Sequence, residues 1–483
     1  MTFMQSLKII FFLFFIYSIE AQTIAGKLIN EESKTPVSFA HITILNEIGV
    51  VSNEDGNFSL HLNGKYQNEI VEISALGFEI LKIPVKDFKP EMEILMKTTD
   101  LILDEVVVGN SVNPIAIIEK YKENYATNHV YDQLAITYFT RSKETFFPKI
   151  LEIESEKINF QNKKEFQKQM DDFTKTFVGK KTFGFTESLF EVYYDGKKRN
   201  INPIKALKMN AENGLDIDNF ENKFFKSTFQ SLKSLYTYKI KSGWIPLEKD
   251  VSLNELEKEE AAQDTLSSKT ISYRIYGGSI KQKDFINKTN LYDYEFEGMT
   301  NIQGFSCYHL SFKTEKSRAK YKGNLYINSD DYAMIQYDYA LEDDKKEFGI
   351  NLKWIFGVKF NTFESSARGQ FARSNKGFYY PILSRTSSSD YAYIHRGLSM
   401  KENHPNRSER KILKLDFKIE MIVSSVDEVV VLETKEINSE LFDPLNFPKF
   451  VLYETKTKYD PDYWLPYNVL EATKEIKQFE VKN

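Results

Sequence analysis

The residues with which this 483-residue chain could do chemistry are six histidines and one cysteine. A zinc peptidase of the carboxypeptidase kind takes two ligands from a His-x-x-Glu pair and a third from a distant histidine. None of the six histidines has Glu at that offset; His129 with Asp132 comes nearest, and reads as a solvated pair in a loop. His-Glu-x-x-His is also missing. Ser306, in Gly304-Phe305-Ser306-Cys307-Tyr308, lacks the second glycine of a nucleophile elbow and sits in a strand-like alternation of Tyr308, Leu310 and Phe312. Cys307 and His309 are two residues apart on that strand, which gives a shared face and no assured hydrogen bond, so Cys307 reads as a buried, inert thiol. Gly179-Lys180-Lys181-Thr182 is the tail of a phosphate loop without its first glycine. These residues give no catalytic, cofactor-binding or metal-binding assignment, and the expectation is a protein that is not an enzyme and needs no cofactor. Only His129, His309, His395 or His404 meeting carboxylates in space would revive a catalytic reading.

The elements around them begin with a leader. Lys8 precedes an apolar run from Ile9 to Ile16 that continues through Tyr17 and Ile19 to the small residue Ala21. This is a secretory signal peptide over residues 1–21, with cleavage expected between Ala21 and Gln22. No later stretch approaches the ~20 apolar residues of a membrane-spanning helix, so no transmembrane segment is expected after cleavage. Cys307 lies far from the new N-terminus, which argues against a lipoprotein anchor. A single cysteine also forbids an internal disulfide, and the fold must rest on its core. The formal net charge of −5 gives no electrostatic reason to bind nucleic acid. With 28 Tyr and 38 Phe, the composition favours half-buried strands, and the length suits two or three domains.

Short alternations separated by turns follow the leader, the pattern of a small sandwich. Ala40, Ile42 and Ile44 share a face, as do Phe58, Leu60 and Leu62, Val71, Ile73 and Ala75, and Met92, Ile94 and Met96. Asn53-Glu54-Asp55-Gly56-Asn57 is expected to turn a hairpin. Gly26, Pro36-Val37 with Ala40, Asp55-Gly56-Asn57-Phe58 and Gly77-Phe78 resemble the carboxypeptidase-regulatory-like domain over residues 22–108. The resemblance implies a seven-stranded prealbumin-like β-sandwich of the accessory kind, without the peptidase. In Bacteroidetes-type envelopes such a domain commonly precedes TonB-dependent nutrient transporters, and Leu103–Val108 is similar to the segment leading into their plug. The residues that remain, ending Val481-Lys482-Asn483, are too few for a plug and a 22-stranded barrel.

A linker and helix are expected over 109–129. Asn113-Pro114 starts the helix, and Ile115, Ile118, Tyr121 and Tyr125 form its apolar stripe. Residues 130–483 read as a larger antiparallel β-rich (α+β) domain with a few helices, so that the fold class is mainly β. Its clearest strand is Leu413–Val423, expected to be apolar on one face and wet on the other. Leu325 and Ile327 are expected to pair with the strand Ala333–Tyr339 across Ser329-Asp330-Asp331. Shorter strands are expected at Leu134–Arg141, Ile271–Tyr276, Tyr308–Lys313 and Gly377–Leu383, helices at Phe166–Phe177 and Asp218–Leu235, and an acidic loop at Glu255–Glu260. Phe305–Phe312, Lys322–Asn328 and Ala333–Tyr339 are similar to the strand pattern of lipoprotein-carrier half-barrels. That likeness implies a sheet that wraps either a helix or a lipid, with Leu415, Phe417 and Ile419 as candidate ligand-facing residues.

The aromatic segment Tyr459–Asn468 reads as a tail docked by Trp464, and Lys313, Lys316, Arg318, Lys320 and Lys322 as a basic strand face. The functional expectation is an exported protein of the periplasm or outer membrane, not a lipoprotein, whose sandwich docks an envelope partner. A carrier or sensor of a lipid or lipoprotein is the alternative, and an accessory to TonB-dependent uptake a more distant one. A carrier needs an apolar cavity where a scaffold packs its own side chains.

Overall fold

The computed structural model describes residues 23–45, 48–62, 64–99, 112–129, 133–196, 198–209, 232, 234–242, 245–252, 265–276, 280–438 and 447–480. The leader, the Leu103–Val108 segment, the Gly109–Ser111 linker, Asp132, nearly all of the helix expected at Asp218–Leu235 and the acidic run Glu255–Glu260 lie outside them. The chain is mainly β and divides into two units, one of residues Met1–Asp100 with Pro461–Thr473, the other of Leu101–Asp460 with Lys474–Asn483.

The first unit is a sandwich of seven strands: β1 (Thr23–Asn30), β2 (His41–Ile44), β3 (Ile48–Val51), β4 (Asn57–His61), β5 (Ile70–Ser74), β6 (Leu81–Pro84) and β7 (Met92–Met96). One sheet has the order β4-β1-β7, with β1 and β7 parallel; the other, β3-β2-β5-β6, is antiparallel. The alternations read from the sequence become the core: Ile42, Ile44, Leu60, Val71 and Ile73 are fully buried, with Phe58, Ile94 and Met96 nearly so. Each such side chain contributes ~1.5–3 kcal/mol relative to leaving it in water. One expectation is corrected. The Asn53–Asn57 turn does not close a hairpin, because β3 and β4 belong to different sheets. It carries the chain from one layer to the other, which a local turn signal cannot distinguish from a hairpin.

In the second unit, helix α1 (Pro114–Asn128) starts where expected, with the Asn113 side chain accepting from the Ile115 and Ala116 amides. Its buried face is Ile117, Ile118 and Tyr121, whereas Ile115 is 42% exposed. Ile115 sits in the first turn, beyond the surface the helix packs on.

The sheet of this unit has fifteen strands among the described residues. They are β8 (Leu134–Ile158), β9 (Thr182–Asp195), β10 (Lys198–Met209), β11 (Tyr238–Ser242), β12 (Ile245–Val251), β13 (Thr265–Ser267), β14 (Tyr292–Ile302), β15 (Phe305–Thr314), β16 (Tyr321–Asn328), β17 (Met334–Leu341), β18 (Phe348–Leu352), β19 (Val358–Arg373), β20 (Tyr379–Glu402), β21 (Ile412–Glu436) and β22 (Phe450–Lys456). The main order is β13-β22-β10-β9-β8-β21-β20-β19-β17-β16-β15-β14, antiparallel except between β10 and β22. The β16–β17 hairpin forms as read, with Leu325 opposite Tyr337. The other α-helices among the described residues are α2 (Lys163–Phe177), α3 (Ser268–Tyr276), α4 (Asp284–Asn287), α5 (Lys353–Phe356) and α6 (Lys474–Lys477).

Three further expectations change. Ile271–Tyr276 is helical, because Ser267 accepts from the Thr270 amide at 3.3 Å and starts a turn, with Ile271 fully buried. The strand read as Leu413–Val423 runs from Ile412 to Glu436, beside a β8 and a β20 of nearly equal length. It is not dry on one side and wet on the other, since its residues from Asp416 to Asp427 are half-buried on both faces. Finally, Pro461–Thr473 groups with the sandwich and not with the larger domain to which 130–483 was assigned.

A ladder of charge crosses the middle of this sheet. Arg141 Nε lies 2.7 Å from Glu187 Oε1, both side chains are buried, and the register sets Arg141 opposite both Glu187 and Glu428, with Arg385 opposite Glu428 in turn. Breaking such a pair by removing one partner costs about 3–5 kcal/mol.

Candidate functional site

The strands that resemble a half-barrel present one apolar face, on β14 to β17 and β19. Leu310, Phe312, Leu325, Ile327, Tyr337 and Tyr339 turn their side chains to one side, and Ile117, Ile118 and Tyr121 of α1 pack against them with Phe285 and Ile286 of α4. Phe285 stacks on Phe312 with ring centroids 4.5 Å apart and lies 5.1 Å from Tyr339. Where β17 meets β19, Gly369 opposite Tyr337 leaves room for the tyrosine ring, because a Cβ there would come within 2.3 Å of it. The apolar face is filled by the chain's own side chains.

The three candidate ligand-facing residues fare unequally. Leu415 is fully buried, in a cluster with Phe166 and Met170 of α2 and Met400 of β20, and Phe417 packs on its margin. Ile419 is half-buried beside Ile394 and Leu151. Two open clefts among the described residues have walls of mixed character. One of about 440 Å³ sets Asp293, Lys313, Lys322 and Asp338 beside Phe312 and Ala340, and one of about 310 Å³ sets Arg199, Asn200 and Lys449 beside Ile201, Phe447 and Pro448.

The basic strand face is largely neutralised. Lys313 reaches Asp293 and Glu295 at 3.3 and 3.1 Å, Lys322 reaches Glu342 at 2.9 Å, and Lys320 donates to the Glu347 carbonyl. Burial pushes the Cys307 thiol up to about 12, with Asp331 and Asp330 adding to the shift, so no thiolate forms near neutral pH. His309 turns away to Asn324, at 3.0 Å, and stacks on Tyr326. His129 stacks on Tyr125 at 4.2 Å, and burial lowers its pKa. The other two histidines named above do meet a carboxylate, one each: His395 Nε2 lies 3.4 Å from Asp416 Oδ1, and His404 Nε2 3.4 Å from Glu409 Oε2. Ser306 lies in β15, and Gly179 follows α2 with its amide on the Pro148 carbonyl. Among the described residues no three His, Cys, Asp or Glu side chains are placed to share a metal ion.

The motif residues of the sandwich each have a structural task. A Cβ on Gly26 would stand 3.0 Å from the Met92 carbonyl and 3.1 Å from the Phe58 ring, so the glycine lets β4 and β7 close on β1. Pro36 bridges to Ile29, and the Asp55 amide donates to Asn53 Oδ1. Gly56 has φ +77° and lies over Leu28, and Gly77 has φ +81° just before Phe78 bridges to Thr98.

Sequence reasoning missed the residues that hold the C-terminal segment. Asn53 is fully buried; its Oδ1 accepts from the Asp55 and Asn57 amides and its Nδ2 donates to the Glu471 and Ala472 carbonyls, each at 3.1 Å. Asn468 pairs with the backbone of His61 through both ends of its amide, accepting at 2.6 Å and donating at 3.2 Å. Tyr463 and Trp464 pack edge to face and are buried. The Asx-turn was legible at Asn53; a partner 418 residues away was not. Also passed over was an apolar projection, β18 with α5. Phe348, Ile350, Leu352, Trp354 and Ile355 are 51%, 43%, 39%, 98% and 67% exposed.

Residues 24–108 match the CarboxypepD_reg-like domain, and the first unit is therefore a carboxypeptidase-regulatory-like sandwich. No curated protein matches the chain. Among solved structures, a DUF1329 family protein from Desulfovibrio piger is similar at 10% identity and a TM-score of 0.20, covering 70% of this chain and 100% of its own. A domain assigned as an outer-membrane lipoprotein-sorting protein from Vibrio parahaemolyticus follows at 6% and 0.17, covering 68% and 95%. A protein of unknown function assigned as membrane-associated, from Bacteroides fragilis, covers 85% and 97% at 9% and 0.13. Scores this low carry no argument about this chain.

Proposed function

We propose that the protein is a non-catalytic, exported envelope protein that acts as an interaction or scaffolding module, with the carboxypeptidase-regulatory-like sandwich as its docking domain. The observation that carries this reading is the filled apolar face: where a carrier would keep a cavity of several hundred cubic ångströms, α1 and α4 insert Ile118, Tyr121 and Phe285. The sandwich supplies strand edges. β3, β6, β4 and β7 end their sheets, and an added strand can pair with such an edge through backbone hydrogen bonds. At the end of β4 the His61 backbone is engaged by the side-chain amide of Asn468. The leader directs export, and among the described residues no helix is long and apolar enough to cross a membrane.

Native mass spectrometry with parallel lipid extraction, on protein purified gently from its own envelope, tests this reading. The expected result is a complex with another polypeptide that edge-blocking substitutions in the sandwich dissociate, such as Lys82→Pro in β6. A stoichiometric lipid adduct on an otherwise solitary chain would overturn it in favour of the carrier.

A further inference from the structure

The edges of the sandwich are not equivalent. β4 ends its sheet, and its outward backbone groups belong to Asn57, Ser59 and His61: the first and last of these bond away from β1, and in an antiparallel strand alternate residues point both groups the same way. Both end members are already bonded. The Asn57 amide donates to Asn53 Oδ1 and its carbonyl accepts from the Asn53 amide, each at 2.9 Å. The His61 amide and carbonyl are both taken by the side chain of Asn468, at 2.6 and 3.2 Å. Those are the two bonds that a residue of a neighbouring strand would make, supplied here by one carboxamide.

The segment that brings Asn468 follows the edge. Asn468 sits at His61, the last residue of β4, and the Glu471 and Ala472 carbonyls sit at Asn53, ahead of its first, so residues 468–472 run antiparallel to the strand. Four steps of extended chain span about 13 Å, which is the length of Asn57–His61. Leu470 and Ala472 are buried along this course. The segment nevertheless forms no strand of its own. A neighbour that meets an edge through asparagine side chains caps it without extending the sheet, and so presents no fresh edge to a further strand.

The other end of this sheet is also occupied. β7 continues into Lys97–Thr99, where the Glu79 amide donates to the Lys97 carbonyl at 2.9 Å and the Thr99 amide to the Gly77 carbonyl at 3.0 Å. By contrast, among the described residues nothing outside their own sheet bonds to the backbone of β3 or β6. We infer that residues 468–472, with Asn53, are an edge guard that denies β4 to an added strand and leaves the edges of the other sheet, β3 and β6, for docking. The inference rests on the strand-edge docking proposed above and narrows it to one sheet.

Sedimentation velocity and hydrogen exchange on the intact, purified chain test the guard without a partner. Asn468→Ala with Leu470→Asp expels the segment, because a carboxylate is costly to keep buried. Exchange at the His61 amide should then rise about tenfold or more, with protection over Thr23–Asn30 retained. The bare edge is expected to pair with the same edge of a second copy, so that the variant self-associates about tenfold more tightly than the unsubstituted chain. Adding Ser59→Pro, which removes an outward N–H and spares the pairing with β1, should restore the original state. Asn468→Ala by itself introduces no charge and should shift both readouts the same way by less; it decides the matter if the double variant loses protection over Thr23–Asn30. In a complex with another polypeptide, Ser59→Pro alone should change nothing. The inference is overturned if the released segment leaves self-association unchanged, if Ser59→Pro does not reverse it, or if Ser59→Pro alone dissociates the complex. Failure to find any such complex would count against the docking reading, while the guard is still decided by the first two results.

Discussion

Alanine at Gly56 and alanine at Gly77 provide a matched pair that separates backbone strain from steric exclusion. Both glycines have left-handed backbone angles, φ +77° and +81°. An alanine Cβ at Gly77 would meet nothing within 4 Å, whereas at Gly56 it would stand 2.5 Å from the Leu28 carbonyl oxygen. Gly77→Ala should therefore cost only the strain of a non-glycine residue in that region, about 1 kcal/mol. Gly56→Ala carries the same strain and must also push the turn away from β1. That opens the bond from the Leu28 amide to the Gly56 carbonyl, at 2.9 Å, and the one from the Gly56 amide to Asn53, at 3.0 Å. At about 1 kcal/mol for each hydrogen bond, the total comes to roughly 3 kcal/mol. Because the chain has two units, a single melting temperature would blur the result. Hydrogen exchange on peptides covering Thr23–Asn30 and Asn57–His61 of the full chain reads the sandwich directly. Equal loss of protection in the two variants would refute the exclusion argument, and unchanged protection in Gly56→Ala would refute the turn geometry itself.

Acid should weaken the sandwich. Burial, partly opposed by Glu72, lowers the His41 pKa from 6.5 to about 4, so between those values the unfolded chain binds a proton that the folded chain does not. The contribution is fully present above pH 6.5 and is lost as the pH falls toward 4, by up to about 3 kcal/mol, and urea titrations across that window should show a slope that His41→Gln flattens. Ile118→Ala, at a fully buried position facing the sheet, should cost roughly 2–5 kcal/mol and open a space that an apolar dye can enter; a change below 1 kcal/mol, read by chemical denaturation, would mean that α1 does not fill that face.

Much of the sandwich was legible because its signals are local. Alternation at Ile42, Phe58, Val71 and Ile94 fixes which side chains face inward, and Asp55-Gly56 marks a turn whatever it joins. The cap at Asn113 and the β16–β17 hairpin are likewise set by residues within a few positions of one another, whereas α2 starts at Lys163, one turn before the Phe166 expected. Where local signals conflict, the tertiary environment decides. The alternation Ile271, Tyr273, Ile275 suggested a strand, but Ser267 starts a helix there.

The sequence by itself determined the strand-rich composition and the inward-facing residues of several sandwich strands, since these depend on residue types or on spacings of a few residues, while the seven-stranded form was what the family resemblance implied. Only the tertiary structure decided that the turn at Gly56 joins two sheets, that α1 occupies the face on which Leu325 and Tyr337 lie, and that Asn53 and His61 hold residues 468–472. The physical reason is the same in each case. A strand's inward face is encoded in its own alternation, but the group that covers that face comes from a segment hundreds of residues away, chosen by shape and hydrogen-bond complementarity that no local pattern records. Exposure of the Phe348–Ile355 segment belongs to the same class: its apolar alternation reads like any core strand, and only the neighbours it lacks leave Trp354 in water.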